Sequence, residues 1–276
     1  MELNRDLQEL GFVEVPAGSV FVGTDKGGLI HGAERPRYQA DLPEFWIMDS
    51  LVSESQFNSI TDGEGGGDDP VDSISWEQLE DLLDSLKAHL PDSHEIRLPS
   101  EVEWLRAREH LGFSLPSGCE EMLWDHPQNS NRGAPLDGRP RLDERLQSMM
   151  RRYRASIKTH PRSSESIFRS QAPIFSPQKD THFRLLIREI TDSEPMTIPE
   201  NADLGGIIRQ EAIFALIIGI IPSFLIPILR GYPDYVLEGW PNLIFGGLFI
   251  SLATSVIWRP RRPTWRVVDG KLTSSG

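Results

Sequence analysis

The chain has 276 residues, 41 acidic and 28 basic side chains, a formal net charge of −13, one cysteine and seven histidines. That length allows one large domain or two small ones, and a single cysteine excludes an internal disulfide and argues against a Cys/His zinc site. Residues 201–276 hold five acids and seven bases, leaving 36 and 21 in the first 200; an acidic domain of this kind repels nucleic acid and anionic lipid.

The first residues, MELNRDLQELGF, are polar and charged, unlike a signal peptide. FVEVPAGSVFV at 12–22 predicts two short strands around a Pro-Ala-Gly turn, and DLPEFWIMDSLV at 41–52 predicts another strand. Ser53 and Ser75 are placed as N-caps, with Gln56 and Gln78 three residues on. The helix after Ser75 carries Trp76, Leu79, Leu82, Leu83, Leu86 and Leu90 on one face, which makes them core residues. Between these caps, TDGEGGGDD at 61–69 reads as a loop.

The stretch HEIRLPSEVEWLRAREHLG, residues 94–112, contains its own helix instructions. Ser100 and Glu103 form a capping box, Glu101 and Glu103 favour the positive end of the helix dipole, and Gly112 suits a left-handed stop. After residue 113 the pattern breaks into short apolar pieces among Gly, Pro, Ser and Arg, and HFRLLIRE at 182–189 reads as a closing strand. Helices set in a loop-rich strand framework predict an α+β domain.

Two apolar runs follow a linker at 191–206. Ala212–Leu229 and Trp240–Trp258 are 18 and 19 residues without a charge, close to the roughly 20 that a bilayer core requires. They predict transmembrane helices at 207–230 and 240–258. Gly246, Gly247, Ser251, Ala253 and Thr254 give the second a small-residue face for helix packing. Residues 259–276 form a basic tail with Arg259, Arg261, Arg262 and Arg266. By the positive-inside rule that end is cytoplasmic, and a hairpin places the N-terminal domain on the same side.

The ordered blocks FVEVPAGSVFVGT, ERPRYQADLPEFWIMDSLVSESQF, PVDSISW, IRLPSEVEWLRARE and FRSQAP…HFRLLIRE resemble the formylglycine-generating enzyme, or sulfatase-modifying-factor, family over about residues 11–190. The resemblance implies a C-type-lectin-like fold. It also implies a copper(I) centre on two cysteines, because soft thiolates suit that ion. Counting from Arg169-Ser170-Gln171, those positions fall near Ser156 and Pro161, neither of them a thiol. In GCEEMLWD at 118–125, Cys119 stands where the family has a calcium-site asparagine; Glu120, Glu121 and Asp125 remain as oxygen donors. No cofactor is expected, calcium being the one ion the donors still allow.

These departures predict a membrane-anchored, non-catalytic member that binds a ligand or protein partner, or forms a homo-oligomer, through its loop-rich region 113–165. The candidate ligand-binding residues are Trp124, Asn129, Arg132, Arg152, Arg154 and Arg169. Arg152 and Arg154 belong to RRYRASIKTHPR, a basic stretch at 151–162 suited to an acidic partner or lipid headgroups. The alternative is an oxidoreductase of the same family with altered metal chemistry.

Overall fold

The computed structural model describes residues 7, 9–28, 31–61, 63–142, 152–176, 179–201, 204–257 and 261–275. Three four-stranded sheets carry the fold, which is mixed α+β. The first contains β1 (Phe12–Val15), β4 (Phe45–Met48), β5 (His94–Arg97) and β10 (Leu186–Glu189), in the order β1-β4-β10-β5. The second contains β2 (Gly18–Val22), β3 (Tyr38–Leu42), β11 (Thr264–Val268) and β12 (Lys271–Ser275), in the order β12-β11-β3-β2. The third joins β6 (Glu120–Met122), β7 (Tyr153–His160), β8 (Ser163–Pro173) and β9 (Thr181–His182), in the order β8-β7-β6-β9.

Both strands expected in 12–22 form, yet they do not pair with each other. β1 pairs with β4, and β2 with β3. The stretch 41–52, expected as one strand, supplies the end of β3 and all of β4. All four residues of β4 are buried. Trp46 and Met48 enter the core under the second helix, while Phe45 and Ile47 enter the core under the third. Side chains that alternate between two cores explain the unbroken apolar sequence FWIM.

The helices begin where their caps predict. Capping boxes at Ser53/Gln56, Ser75/Gln78 and Ser100/Glu103 open α1 (Glu54–Ile60), α2 (Trp76–Lys87) and α3 (Glu101–Leu111). Leu79, Leu82, Leu83 and Leu86 of α2 are buried against the first sheet, and Gly112 ends α3 with a φ of 71°. A long hairpin, β7–β8, occupies the region after 113 that has no clear sequence period.

Within RLPSEVEW, Glu103 is the hub of a buried charge network. Arg97 grips its two oxygens at 2.8 and 2.9 Å, Arg188 donates to one at 2.9 Å, and the Ser100 amide to the other at 2.8 Å. Burial pushes the Glu103 carboxyl up, but Arg97, Arg188 and the Ser100 amide outweigh it and hold its pKa below the usual range. A second buried pair, Arg184 with Glu121, fastens β6 to the segment before β10.

Two further helices, α4 (Leu204–Leu229) and α5 (Pro233–Ile257), are long and apolar enough to cross a membrane. The second starts at Pro233, well before the expected residue 240, so only a tight turn at 230–232 joins them. Their apolar faces are open; Phe245 and Phe249 are each 71% exposed. Residues 215–220 of α4 are π-helical. Pro222 follows two residues after its end, and the wider turn accommodates a ring that would otherwise press on the carbonyl four residues earlier.

The helices cross at Gly219 and Gly247. A Cβ on Gly219 would lie 2.0 Å from the Gly247 carbonyl oxygen. Leu243, Gly247 and Ser251 form the buried stripe of α5, whereas Gly246 and Ala253 of the expected face point away. Ser223 donates to the Leu243 carbonyl at 2.8 Å across the pair.

The segment expected as a basic tail returns to the domain. Thr264–Val268 and Lys271–Ser275 pair as a hairpin, and Trp265 bridges in parallel to Tyr38 at the edge of β3. TWRVVDGKLTSS alternates apolar and polar residues around Asp-Gly, a hairpin pattern; the neighbouring arginines hide it in a reading by charge. Arg261 pairs with Asp25 at 2.6 Å, and Arg262 with Glu211 at the start of α4. Trp258 and Arg259 lie outside the described residues.

Candidate functional site

A cavity of about 430 Å³ opens between the N-terminus of α3, the face of β7–β8 and the loop 123–141. The helix start places Glu101 on its rim. The β8 residue Arg169 crosses to meet it, with Nε donating to Glu101 Oε1 at 2.6 Å. The same guanidinium donates to Asn131 Oδ1 at 2.8 Å and to the Ala33 carbonyl at 3.1 Å. Asn131 is fixed in turn by donating to the carbonyls of Glu34 and Pro36, each at 3.0 Å. Burial pulls the Arg169 pKa down, and Glu101 more than offsets that, so it is raised.

Two further groups give the cavity its chemistry. Tyr38 is 3% exposed, and burial reinforced by Glu101 pushes its phenol up, so it stays a neutral donor. Asp125 accepts from the Glu101 amide at 2.7 Å and from the Arg141 amide. Burial opposes those donors and raises its carboxyl to about 7. Gln128 Nε2 is buried in this wall and, among the described residues, has no hydrogen-bond partner.

The six residues expected to bind ligand fall in four places. Asn129 and Arg169 line the cavity. Arg154 lies over the rings of Trp76 and Trp124, at 4.5 and 5.4 Å from their centroids, and burial lowers its pKa. Arg152 covers the exposed ring of Phe175 at 4.8 Å. Arg132 lines a different cavity beside the two apolar helices. Most of the basic stretch is thus a strand, β7, and two of its arginines, Arg152 and Arg154, rest on aromatic faces. Sequence reasoning named Asp125 only as a possible calcium donor, and it missed Tyr38, Glu101 and Asn131 as cavity residues. Glu101 and Asp125 were visible as acids, but their roles depend on contacts with distant segments.

Ser156 faces the cavity from the middle of β7, while Pro161 lies in the β7–β8 turn and does not line it. The Ser156 hydroxyl donates to Glu120 Oε1. The three acids of the expected calcium region turn to separate partners: Glu120 to Ser156 and Lys158, Glu121 to Arg184, Asp125 to two amides. Among the described residues, no three His, Cys, Asp or Glu side chains gather as a metal-ligand set. Burial, with Asp180 and Asp72, pushes the Cys119 thiol up, away from the reactive thiolate.

No family model and no curated protein sequence matches the chain. Among solved structures it is similar to PvdO from Pseudomonas aeruginosa, with 15% identity, a TM-score of 0.51, and coverage of 68% of this chain and 98% of that one. CarF is 14% identical with a TM-score of 0.39, covering 66% of this chain and 99% of its own. Treponema denticola variable protein 1 is 15% identical with a TM-score of 0.41, covering 62% and 94%. At this identity the likeness to PvdO shows a shared fold and nothing of activity.

Proposed function

We propose that the chain is a membrane-anchored, non-catalytic domain of the formylglycine-generating-enzyme type with a C-type-lectin-like fold. It binds a small polar ligand or a partner protein's polar segment. The observation that carries this reading is the interlocked wall of Glu101, Arg169 and Asn131 in a 430 Å³ cavity. Such a wall offers fixed hydrogen-bonding groups, and loops on a rigid frame suit recognition. Serine and proline at the positions matching the family's copper cysteines supply no soft ligand.

The two apolar helices anchor the domain. Their open faces support a lipid environment over a soluble core, in which such helices are mostly buried. Both ends of the hairpin meet the same domain, which supports placing domain and C-terminus on one side; the arginines at 259–266 favour the cytoplasmic side by the positive-inside rule. Native mass spectrometry of the full-length chain, extracted gently from its membrane, tests the reading. A retained small molecule, a polypeptide or a homo-oligomer supports it. A stoichiometric copper, iron or calcium ion refutes it.

One observation favours a second reading, an enzyme. A carboxyl raised to about 7 inside a cavity is the protonation state a general acid–base group requires at neutral pH. Loss of a measured turnover on Asp125→Asn, with binding retained, would establish that alternative.

A further inference from the structure

A second cavity, about 820 Å³, lies where the apolar hairpin leaves the domain. Three arginines reach it from separate parts of the chain: Arg35 before β3, Arg132 in the 123–141 loop, and Arg262 between α5 and β11. Among the described residues that line it Glu211 is the one acid, so these carry a net charge of +2. Carbonyls hold two of the arginines in place. Arg35 donates to Gly28 at 2.8 Å and to His31 at 3.1 Å, and Arg132 donates to Asn201 at 2.9 Å. Arg262 pairs with Glu211 and donates to Gln210 Oε1, yet among the described residues its buried Nε has no hydrogen-bond partner.

Like charges held together in this way repel. Burial lowers the Arg35 pKa, and Arg262 and Arg132 lower it further against the pull of Glu211. Burial lowers Arg132 also. An anion placed among the three would relieve that repulsion and occupy donors that the protein leaves unused.

The same lining includes apolar side chains, Ile207 of α4 and Leu252 of α5. Helix rise sets its depth. A core about 30 Å thick spans about 20 helical residues. Counted back from Leu229, that span begins at Gln210, so the arginines stand at headgroup level. Leu252 lies five residues before the end of α5, about 7 Å toward the hydrocarbon at about 1.5 Å per residue. Trp265 lines the same cavity at the level that interfacial tryptophans favour.

We infer that this cavity binds an anionic phospholipid of the surrounding leaflet, its phosphate among Arg35, Arg132 and Arg262 and an acyl chain against Ile207 and Leu252. The inference rests on the reading of α4 and α5 as membrane spans. The domain's net negative charge does not oppose it, because the positive charge is local and screening limits the reach of the rest.

The test uses the full-length chain in mild detergent, titrated with phosphatidylglycerol, phosphatidylcholine or glycerol phosphate and read by native mass spectrometry. Phosphatidylglycerol is expected to bind one to one and in preference to phosphatidylcholine. Arg132→Gln is expected to weaken it about five-fold, the equivalent of about 1 kcal/mol for one basic residue at a membrane surface. Arg266→Gln, the same charge change on an exposed strand residue outside the cavity, is expected to leave it unchanged. Leu252→Trp, which fills the apolar side and keeps every charge, is expected to weaken binding as well, and serves if Arg132→Gln proves unfolded by circular dichroism. Equal binding by Arg132→Gln and Arg266→Gln, or no preference between the two lipids, would overturn the inference. Displacement of the lipid by equimolar glycerol phosphate would assign the site to a soluble phosphate instead and overturn it too. Release of the chain from membranes by alkaline carbonate would remove the membrane reading itself; retention in the pellet with no lipid preference would sink this inference alone.

Discussion

Replacing Glu103 with glutamine tests the central claim about RLPSEVEW, that its purpose is a buried charge hub. The carboxylate is fully buried and faces two guanidiniums that are 3% and 2% exposed, Arg97 and Arg188. Glutamine keeps the shape but removes the charge and turns one acceptor into a donor. Two buried cations then confront an amide, and Glu95, its side chain 39% exposed, remains the nearest acid through Arg97 Nε at 3.0 Å. Breaking a buried ion pair from one side costs about 3–5 kcal/mol, a large share of the roughly 5–15 kcal/mol that holds a domain folded. For a domain of this size that is a fall in Tm of about 10 °C. The assay is thermal unfolding of the full-length chain in detergent, followed by circular dichroism. Adding Arg188→Met to Glu103→Gln should restore part of the loss, because one uncompensated cation is gone. A single-variant loss below about 1 kcal/mol, or no recovery in the double variant, would refute the hub.

Three other expectations follow from the same contacts. A folded-state carboxyl near 7, against 3.8 unfolded, means that folded Asp125 binds a proton that the unfolded chain has released. Its contribution therefore favours folding at low pH and fades between about pH 4 and 7, by up to about 4 kcal/mol if it acted alone. Denaturant unfolding of the chain and of Asp125→Asn at pH 5 and 7.5 should show that slope difference, and parallel pH profiles would refute it. Gly219→Ala drives a methyl into the Gly247 carbonyl, while Gly246→Ala meets nothing within 4 Å; only the first should lower the Tm, even though alanine is the better helix former by about 1 kcal/mol. Deleting residues 264–276 uncovers the β3 edge and strips Trp265, Val267 and Leu272 from the core cluster they pack against, so the truncated chain should aggregate on gel filtration.

Much of the fold is legible where one segment carries its own instructions. Ser53, Ser75 and Ser100 cap helices through partners three residues away, and the leucines of α2 repeat at helical spacing. Pairing between distant segments is not legible in this way. PAGSV looks like a hairpin turn, yet its flanking strands serve different sheets, because β4 offers β1 an edge that β2 does not take. The β7–β8 ladder, 153–173, escapes a periodicity reading because its outward positions include Arg, Ser and Glu among few apolar residues. The site shows the same division. Asn129 could be singled out as a polar residue in a loop-rich region and Arg169 through the FRSQAP block, whereas Asn131 acquires its role from Glu34, Pro36 and Arg169, 38 to 97 residues away.

The arrangement of the C-terminus joins these observations. A hairpin tethered at one end only would leave the domain free to turn about its linker. Here Arg262 reaches Glu211 at the start of α4, Arg261 reaches Asp25, and β11 continues the sheet through Trp265 and Tyr38. The chain therefore leaves and re-enters the domain at one place, and the domain's orientation relative to its two apolar helices is set by pairing rather than by linker length. Tyr38 also lines the smaller cavity. One residue thus touches both the strand that follows the hairpin and the proposed ligand site, and Ser130 lines both cavities. That contact is a continuous physical path between the two cavities, and its coupling would show as a changed ligand affinity in the phosphatidylglycerol-loaded chain.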